Sequence, residues 1–262
     1  MNHFLKDLRG ILFSELKRFK LKTRTHCEND MAISGNAHKG SPQGQQESIL
    51  VSDFDGTMTR FDFYELVLRE LPSSAERDFW QDYMAGELTL FETLSAIFGA
   101  VRASGPELEA LLTRMELDPL LHRSVERLRH GGWEVIVASA GCEWYINRLL
   151  GRAGVDLQVH ANPGEFLPGR GLKMTLPEKS PFVHRERGID KPAVVRHALG
   201  QWDRVAFAGD GPPDLEAALL VSPQCRFARG RLAQLLEERS EAFHSFRTWS
   251  DIVDVLLAEE TC

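Results

Sequence analysis

Two aspartates one residue apart close a short apolar run, Ile49-Leu-Val-Ser-Asp53-Phe-Asp55-Gly-Thr57-Met-Thr59. Each is ionised near neutral pH unless its surroundings raise its pKa, so two carboxylates held together repel one another. A divalent cation relieves that repulsion, and Mg²⁺ favours such oxygen ligands. The surrounding chain must hold the pair in one place. A run rich in β-branched residues, cut off by Asp and Gly, reads as a buried strand, and alternation along it sends Asp53 and Asp55 to one side. A plain strand end with an Asx turn would use the same residues.

Three further stretches place chemistry-bearing residues at an element boundary. Trp133-Glu-Val-Ile-Val-Ala138 reads as a second buried strand, ending in Ser139-Ala140-Gly141 before a helix from about Glu143 to Leu150. A small hydroxyl residue, then Ala and Gly, lets backbone N–H groups approach an anion at a helix N-terminus; many α/β crossings look the same. Gly188-Ile-Asp190-Lys191-Pro192 opens a helix to about Leu199, which sets the Lys191 ammonium beside the helix's positive end. A solvated surface lysine would look identical. Arg204-Val-Ala-Phe-Ala208 reads as a strand ending in Gly-Asp210-Gly, with Asp214 four residues later on a starting helix; a plain turn with an N-cap Asp would use the same residues.

Taken in order, the four stretches resemble the four motifs of the haloacid dehalogenase (HAD) superfamily. The resemblance covers about residues 48–257. It implies that Asp53 attacks phosphorus and becomes an aspartyl-phosphate, and that Asp55 is the general acid and then the base for water. Ser139, with Ala140, Gly141 and Thr57, would bind phosphate, and Lys191 would neutralise charge. Mg²⁺ would be held by Asp53, the Asp55 backbone carbonyl and Asp210, with Asp214 behind them. The presence of Asp55 favours a phosphatase over a dehalogenase, whose reaction has no alkoxide to protonate. A helical insert after the first motif is similar to the cap of the phosphoserine phosphatase-like branch (subfamily IB). Within that branch, Ser139-Ala-Gly-Cys-Glu-Trp-Tyr145 and Cys225-Arg-Phe-Ala-Arg-Gly230 most resemble the phosphatases of methionine salvage, whose substrate is 2-hydroxy-3-keto-5-methylthiopentenyl-1-phosphate. Asp62 stands where phosphoserine phosphatases carry a Glu for the substrate amine, and Pro212-Pro213 departs from their Ala-Asn.

The elements that must position these residues follow from the pattern of the chain. Sequential β-α units imply an α/β, doubly wound, mostly parallel sheet. Residues 61–130 carry candidate helices at about 62–71, 74–84, 89–103, 106–115 and 119–130, too many for one crossover. The expected division is an N-terminal helix and linker (1–47), a core (48–60 and 119–262) and an inserted helical cap (61–118). Residues 157–176 read as strands around Gly and Pro turns, including a hairpin at 165–174. Cap residues facing the site would choose the substrate; Asp62, Arg60 and Tyr64 are the candidates, each with an ordinary structural role as the alternative. Opening of the cap would admit substrate and its closure would exclude bulk water.

Composition sets the outer bounds. The chain has 262 residues and a formal net charge of −7, which argues against a general nucleic-acid binder. No apolar run approaches the roughly 20 residues of a membrane span. Cys27, Cys142, Cys225 and Cys262 are scattered and form no CxxC pair, implying reduced thiols in a cytoplasmic protein. Cys142 is either a buried structural thiol or an oxidation-sensitive one. The first 25 residues carry an apolar stripe with a basic end, open to three readings: a targeting segment, a surface-bound amphipathic helix, or an extension ahead of a start at Met31. The expected partner is a small-molecule phosphate ester, taken by a monomer or homodimer. The rivals are a binding or regulatory protein on an inactive phosphatase fold and a membrane-peripheral role for the N-terminal helix.

Overall fold

The computed structural model describes residues 48–75 and 77–258; the readings of residues 1–47 lie outside the described residues. Six parallel strands form the central sheet, in the order β10-β9-β8-β1-β2-β3. They are β1 (Ser48–Ser52), β2 (Trp133–Cys142), β3 (Gln158–Asn162), β8 (Arg204–Gly209), β9 (Arg226–Ala228) and β10 (His244–Ser245). β1 is central and buried along its whole length. Its near-continuous apolar run is what a parallel strand covered on both faces requires. Fully burying a Leu or Val contributes about 1.5–3 kcal/mol, and Leu50 and Val51 have no exposed surface.

The strand order places the site. From β1 the chain moves through β2 to β3 on one side, then returns to lay β8 on the other side of β1. The order reverses between β1 and β8, and open α/β sheets bind ligands at such a switch point, beyond the carboxyl ends of the strands. Asp53 follows β1 and Asp210 follows β8. The paired register Ser52–Ala208 sets the two turns side by side.

Between β1 and β2 lie α1 (Phe63–Glu70), α2 (Phe79–Ala85), α3 (Leu90–Ala100), α4 (Gly105–Arg114) and α5 (Leu121–His130). Thr89 and Glu92 form a reciprocal capping box at the start of α3, as their spacing predicts, and Ser104 and Glu107 form another on α4. α2 begins at Phe79, five residues later than the Ser74 start expected from sequence. Residues 72–74 are held extended instead: Pro72 and Ala100 carbonyls accept from Arg102 and Ser74 amides, and Ser73 bridges Val101. A tertiary pairing overrides a local helix signal there. α5 packs back on the core sheet and on α10 (Trp249–Ala258).

After α6 (Glu143–Arg152) and β3, two hairpins lie beside the sheet, β4 (Gly164–Leu167) with β5 (Gly171–Met174), and β6 (Val183–His184) with β7 (Gly188–Ile189). Both reach the helical insert. β5 packs on α3, and the Phe91 amide donates to the Glu186 carbonyl at 2.9 Å. α7 (Lys191–Leu199) precedes β8, and a short helical turn at Pro212–Asp214 leads into α8 (Leu215–Ala218). α9 (Gly230–Glu237) and α10 complete the chain. Among the described residues no helix is long and apolar enough to cross a membrane.

The expected reduced state of the cysteines needs a correction. Cys142 is free and buried, but Cys225 is disulfide-bonded. Spacing along the chain carries no information on which Cys residues meet in space. Burial pushes the Cys142 thiol up to about 12, so little of the reactive thiolate exists at neutral pH.

Candidate active site

The floor of the site is a cluster of buried charge. The Asp53 amide donates to the Ala208 carbonyl at 2.9 Å, fixing this turn against β8. The Lys191 ammonium lies 2.8 Å from Asp53 Oδ1 and 2.6 Å from Asp214 Oδ1. Lys191 is the first residue of α7, behind the Asp190 N-cap. A cation at a helix's positive end is disfavoured, and the two carboxylates offset that. Burial alone would lower the Lys191 pKa, but Asp214 and Asp53 carry it above its usual range. The second Asp214 oxygen accepts from the Asp210 and Gly211 amides at 3.1 and 3.0 Å. Asp214 is thus consumed in positioning its neighbours.

Asp53 and Asp210 face the same space. Oxygens of Asp53, Asp210 and Asp214 lie within 4.8 Å of one another. Burial, then the Asp214 charge, raises Asp210 to about 7, and the same two causes hold Asp53 well above the carboxylate range, with Lys191 opposing in part. The Thr57 hydroxyl donates to Asp210 Oδ1 at 3.1 Å. Gly56 has φ +67°, and a Cβ there would collide with the Asp210 carboxylate. Three carboxylates around one ammonium, all hard oxygen donors, fit a small divalent cation such as Mg²⁺. With both Asp214 oxygens already engaged, Asp53 and Asp210 are the side chains left for it.

Asp55 forms the wall and meets only neutral donors. Its Oδ2 accepts from the Tyr145 hydroxyl at 2.6 Å and from Ser139 Oγ at 3.3 Å, and its Oδ1 from the Phe63 amide at 3.3 Å. Burial raises its pKa, and the Tyr145 bond is the largest opposing influence. Ser139, Ala140 and Gly141 lead into α6, which begins at Glu143 as the sequence suggests, but they belong to β2 itself, which runs on to Cys142. They form an irregularity within β2, whose pairing with β3 shifts between Ala138 and Cys142. Bulges of this kind re-aim side chains beside active sites. The Gly141 amide donates to Ser139 Oγ at 3.0 Å.

Asp62 caps α1, accepting from the Tyr64 amide at 2.8 Å. Its carboxyl is held well above the usual range by burial, then by the charges of Asp55 and Asp210. Tyr64 stacks on Trp80 of α2, with ring centroids 5.0 Å apart, and Arg60 makes an exposed ion pair with Glu116 at 3.0 Å.

Three contributors escape the sequence reading. Tyr145 bonds Asp55. Asn162, fully buried, donates to the Ala140 and Gly141 carbonyls at 2.7 and 3.2 Å, supporting the bulge. The Arg229 guanidinium binds the Gly56 carbonyl at 2.5 Å and the Thr59 carbonyl, tying the first aspartate loop to the start of α9. Tyr145 and Arg229 lie within the two stretches that carry the finer resemblance and Asn162 lies in none, but nothing local assigns any of them a role, because each acts on a partner far away in sequence.

The acids and the lysine gather at the switch point of a parallel, doubly wound sheet, the place where folds of this class bind ligands. The profile of the haloacid dehalogenase-like hydrolase family matches residues 50–219, more than half of the chain. The chain belongs to this family. It is 22% identical to 2-hydroxy-3-keto-5-methylthiopentenyl-1-phosphate phosphatase of Exiguobacterium sibiricum, over 80% of this chain and 97% of that protein. It is 21% identical to the protein of the same name from Brevibacillus brevis, over 79% and 94%. Among solved structures, a HAD-family hydrolase from Salmonella enterica serovar Typhi aligns with TM-score 0.59 and 21% identity, covering 84% of this chain and 75% of that one. A substrate-bound phosphoserine phosphatase aligns with TM-score 0.57 and 16% identity, covering 80% and 99%.

Proposed function

We propose that the protein is a Mg²⁺-dependent phosphatase that hydrolyses a small-molecule phosphate monoester through an aspartyl-phosphate on Asp53. The observation that carries this reading is the Lys191 bridge, which holds the Asp53 carboxylate at 2.8 Å beside Asp210 at the sheet's switch point. In the first step an Asp53 oxygen forms a bond to phosphorus while the bond from phosphorus to the ester oxygen breaks. The Asp55 proton passes to the leaving oxygen, which departs as the alcohol or enol. In the second step water attacks phosphorus, its proton returns to Asp55, and Asp53 is released with inorganic phosphate. Lys191, Ser139, Thr57 and the amides of Ala140 and Gly141 would balance the phosphoryl charge. Asp53, Asp210 and the Asp55 carbonyl would hold Mg²⁺, which when bound withdraws charge from the phosphoryl oxygens, and Asp214 would hold Lys191 and the Asp210 turn in place.

Uncatalysed monoester hydrolysis demands accelerations of up to ~10²¹, and dense buried charge around one phosphoryl group suits that demand. Residues 61–118 act in this reading as the cap, with Asp62 and Tyr64 selecting the substrate. The named relatives support 2-hydroxy-3-keto-5-methylthiopentenyl-1-phosphate as that substrate. The intact acid-and-lysine set argues against a purely binding role.

The test is phosphate release, with and without Mg²⁺, from a panel holding that enol phosphate, phosphoserine and a generic aryl phosphate. Mg²⁺-dependent preference for the enol phosphate is the expected result. Preference for phosphoserine would keep the chemistry and overturn the substrate, and no release from any compound would favour a binding protein.

A further inference from the structure

Tyr145 is buried without remainder of solvent exposure to speak of, yet its hydroxyl is not idle. It donates a 2.6 Å hydrogen bond to Asp55 Oδ2. Its ring lies against the cap: it stacks on Phe63 of α1 at 4.2 Å between centroids and meets Phe98 of α3 edge-on at 6.4 Å. Gly141 is what makes the bond fit, since a Cβ at that position would overlap the Tyr145 hydroxyl and come within 2.7 Å of Asp55 Oδ2. The Phe63 amide, at the start of the same cap helix, holds the other oxygen, Oδ1, at 3.3 Å. One side chain of the core therefore touches both the cap's aromatic cluster and the carboxyl group assigned to proton transfer.

We propose that Tyr145 is a positioning residue for Asp55, whose hydroxyl occupies Oδ2 so that the transferable proton is carried on Oδ1, and whose ring makes this arrangement depend on the seated cap. The inference rests on the reading of Asp55 as general acid. Each carboxyl oxygen has two acceptor sites; Tyr145 and Ser139 together fill those of Oδ2, while Oδ1 accepts only from the Phe63 amide and keeps a site for a proton directed toward the leaving group. The ring packing against Phe63 and Phe98 fixes the phenol's direction, so the bond forms when α1 and α3 lie on α6 as here. Hydrogen bonds of this sort, at one remove from the reacting atoms, commonly tune active sites through orientation.

Leaving-group dependence separates this role from a structural one. A general acid matters most when the departing oxygen is a poor leaving group, as in an alkyl phosphate, and least for a nitrophenyl phosphate. Tyr145→Phe keeps the ring and removes only the hydroxyl. The expected result is a fall in kcat/KM of about tenfold or more on an alkyl phosphomonoester, against less than about threefold on p-nitrophenyl phosphate. In an Asp55→Asn background, Tyr145→Phe should cost nothing more, because the two groups act as one unit.

Equal losses on both substrates, no loss on either, or full additivity with Asp55→Asn would each overturn the proposal. Failure of the underlying reading looks different. There Asp55→Asn itself would lack leaving-group selectivity, whatever Tyr145→Phe does.

Discussion

The core edge and the helical insert hold their polar groups in opposite ways. At the core edge Asp53, Asp214 and Lys191 are almost wholly buried, and each is held by partners from other elements. In the insert several polar side-chain contacts are local and exposed: Thr89 with Glu92, Ser104 with Glu107, Arg77 with Asp82. α2 buries no residue at all. Buried charges of the core have no water to fall back on, so removing one strands the others. Caps of the insert exchange protein partners for water at small cost. The comparison teaches where the chain concentrates buried charge: at the switch point of the sheet, while the helical insert keeps its caps and several ion pairs in contact with water.

The largest expected effect is on the core side. Lys191→Met leaves Asp53 and Asp214 buried without a cation and should destabilise the fold by about 3–5 kcal/mol, measured by urea unfolding. A loss under about 1 kcal/mol, the range of an exposed pair, would break the contrast between the two regions.

Cation binding should be next in size. The Asp210 pKa is raised to about 7 and Asp53 is raised in the same direction. For carboxyls raised above their unfolded values, the metal-free protein gains stability below the unfolded pKa and loses it as pH climbs through the folded one. Protons also compete for the same oxygens below about 7. Added Mg²⁺ should therefore raise Tm more at pH 8 than at pH 6, with a stabilisation of about 2.7 kcal/mol at a hundredfold excess over Kd. An equal shift at both pH values would show that these carboxylates are not the binding groups. Asp210→Asn should abolish most of the shift.

The smallest effects belong to the insert. Thr89→Ala or Ser104→Ala removes one capping box and should cost about 1 kcal/mol. Thermal unfolding should show a Tm lower by about 2–4 °C, with kcat on an aryl phosphate unchanged. A large loss of activity would mean that α3 or α4 positions the chemistry more tightly than the exposed caps suggest.

What was legible in the sequence divides along the same line. Asp53, Asp55 and Asp210 stand out because each closes or follows an apolar run, whereas Lys191 and Asp214 follow no such run and were legible only through the resemblance of the four stretches taken together. The capping box of α3 was legible because it is a contact between Thr89 and Glu92, three residues apart. Contacts between distant segments were not. Nothing local tells that Tyr145 reaches Asp55, that Asn162 supports Ala140 and Gly141, or that Arg229 grips Gly56 and Thr59. The start of α2 moved for the same reason, since Ser73 and Ser74 are held by residues 100–102. The bulge at Ser139–Gly141 was hidden because its cause is the register with β3.

The central claim is that Asp53 carries the phosphoryl group. Acid quenching of the enzyme during turnover with Mg²⁺ and a phosphomonoester, followed by peptide mass spectrometry, tests it directly. The account predicts an acid-stable, base-labile phosphoryl group on the peptide spanning Asp53, and none in Asp53→Asn, whose turnover should fall by ~10⁴-fold or more. Rapid phosphate release with no modified Asp53, or with Asp53→Asn still active, would contradict it.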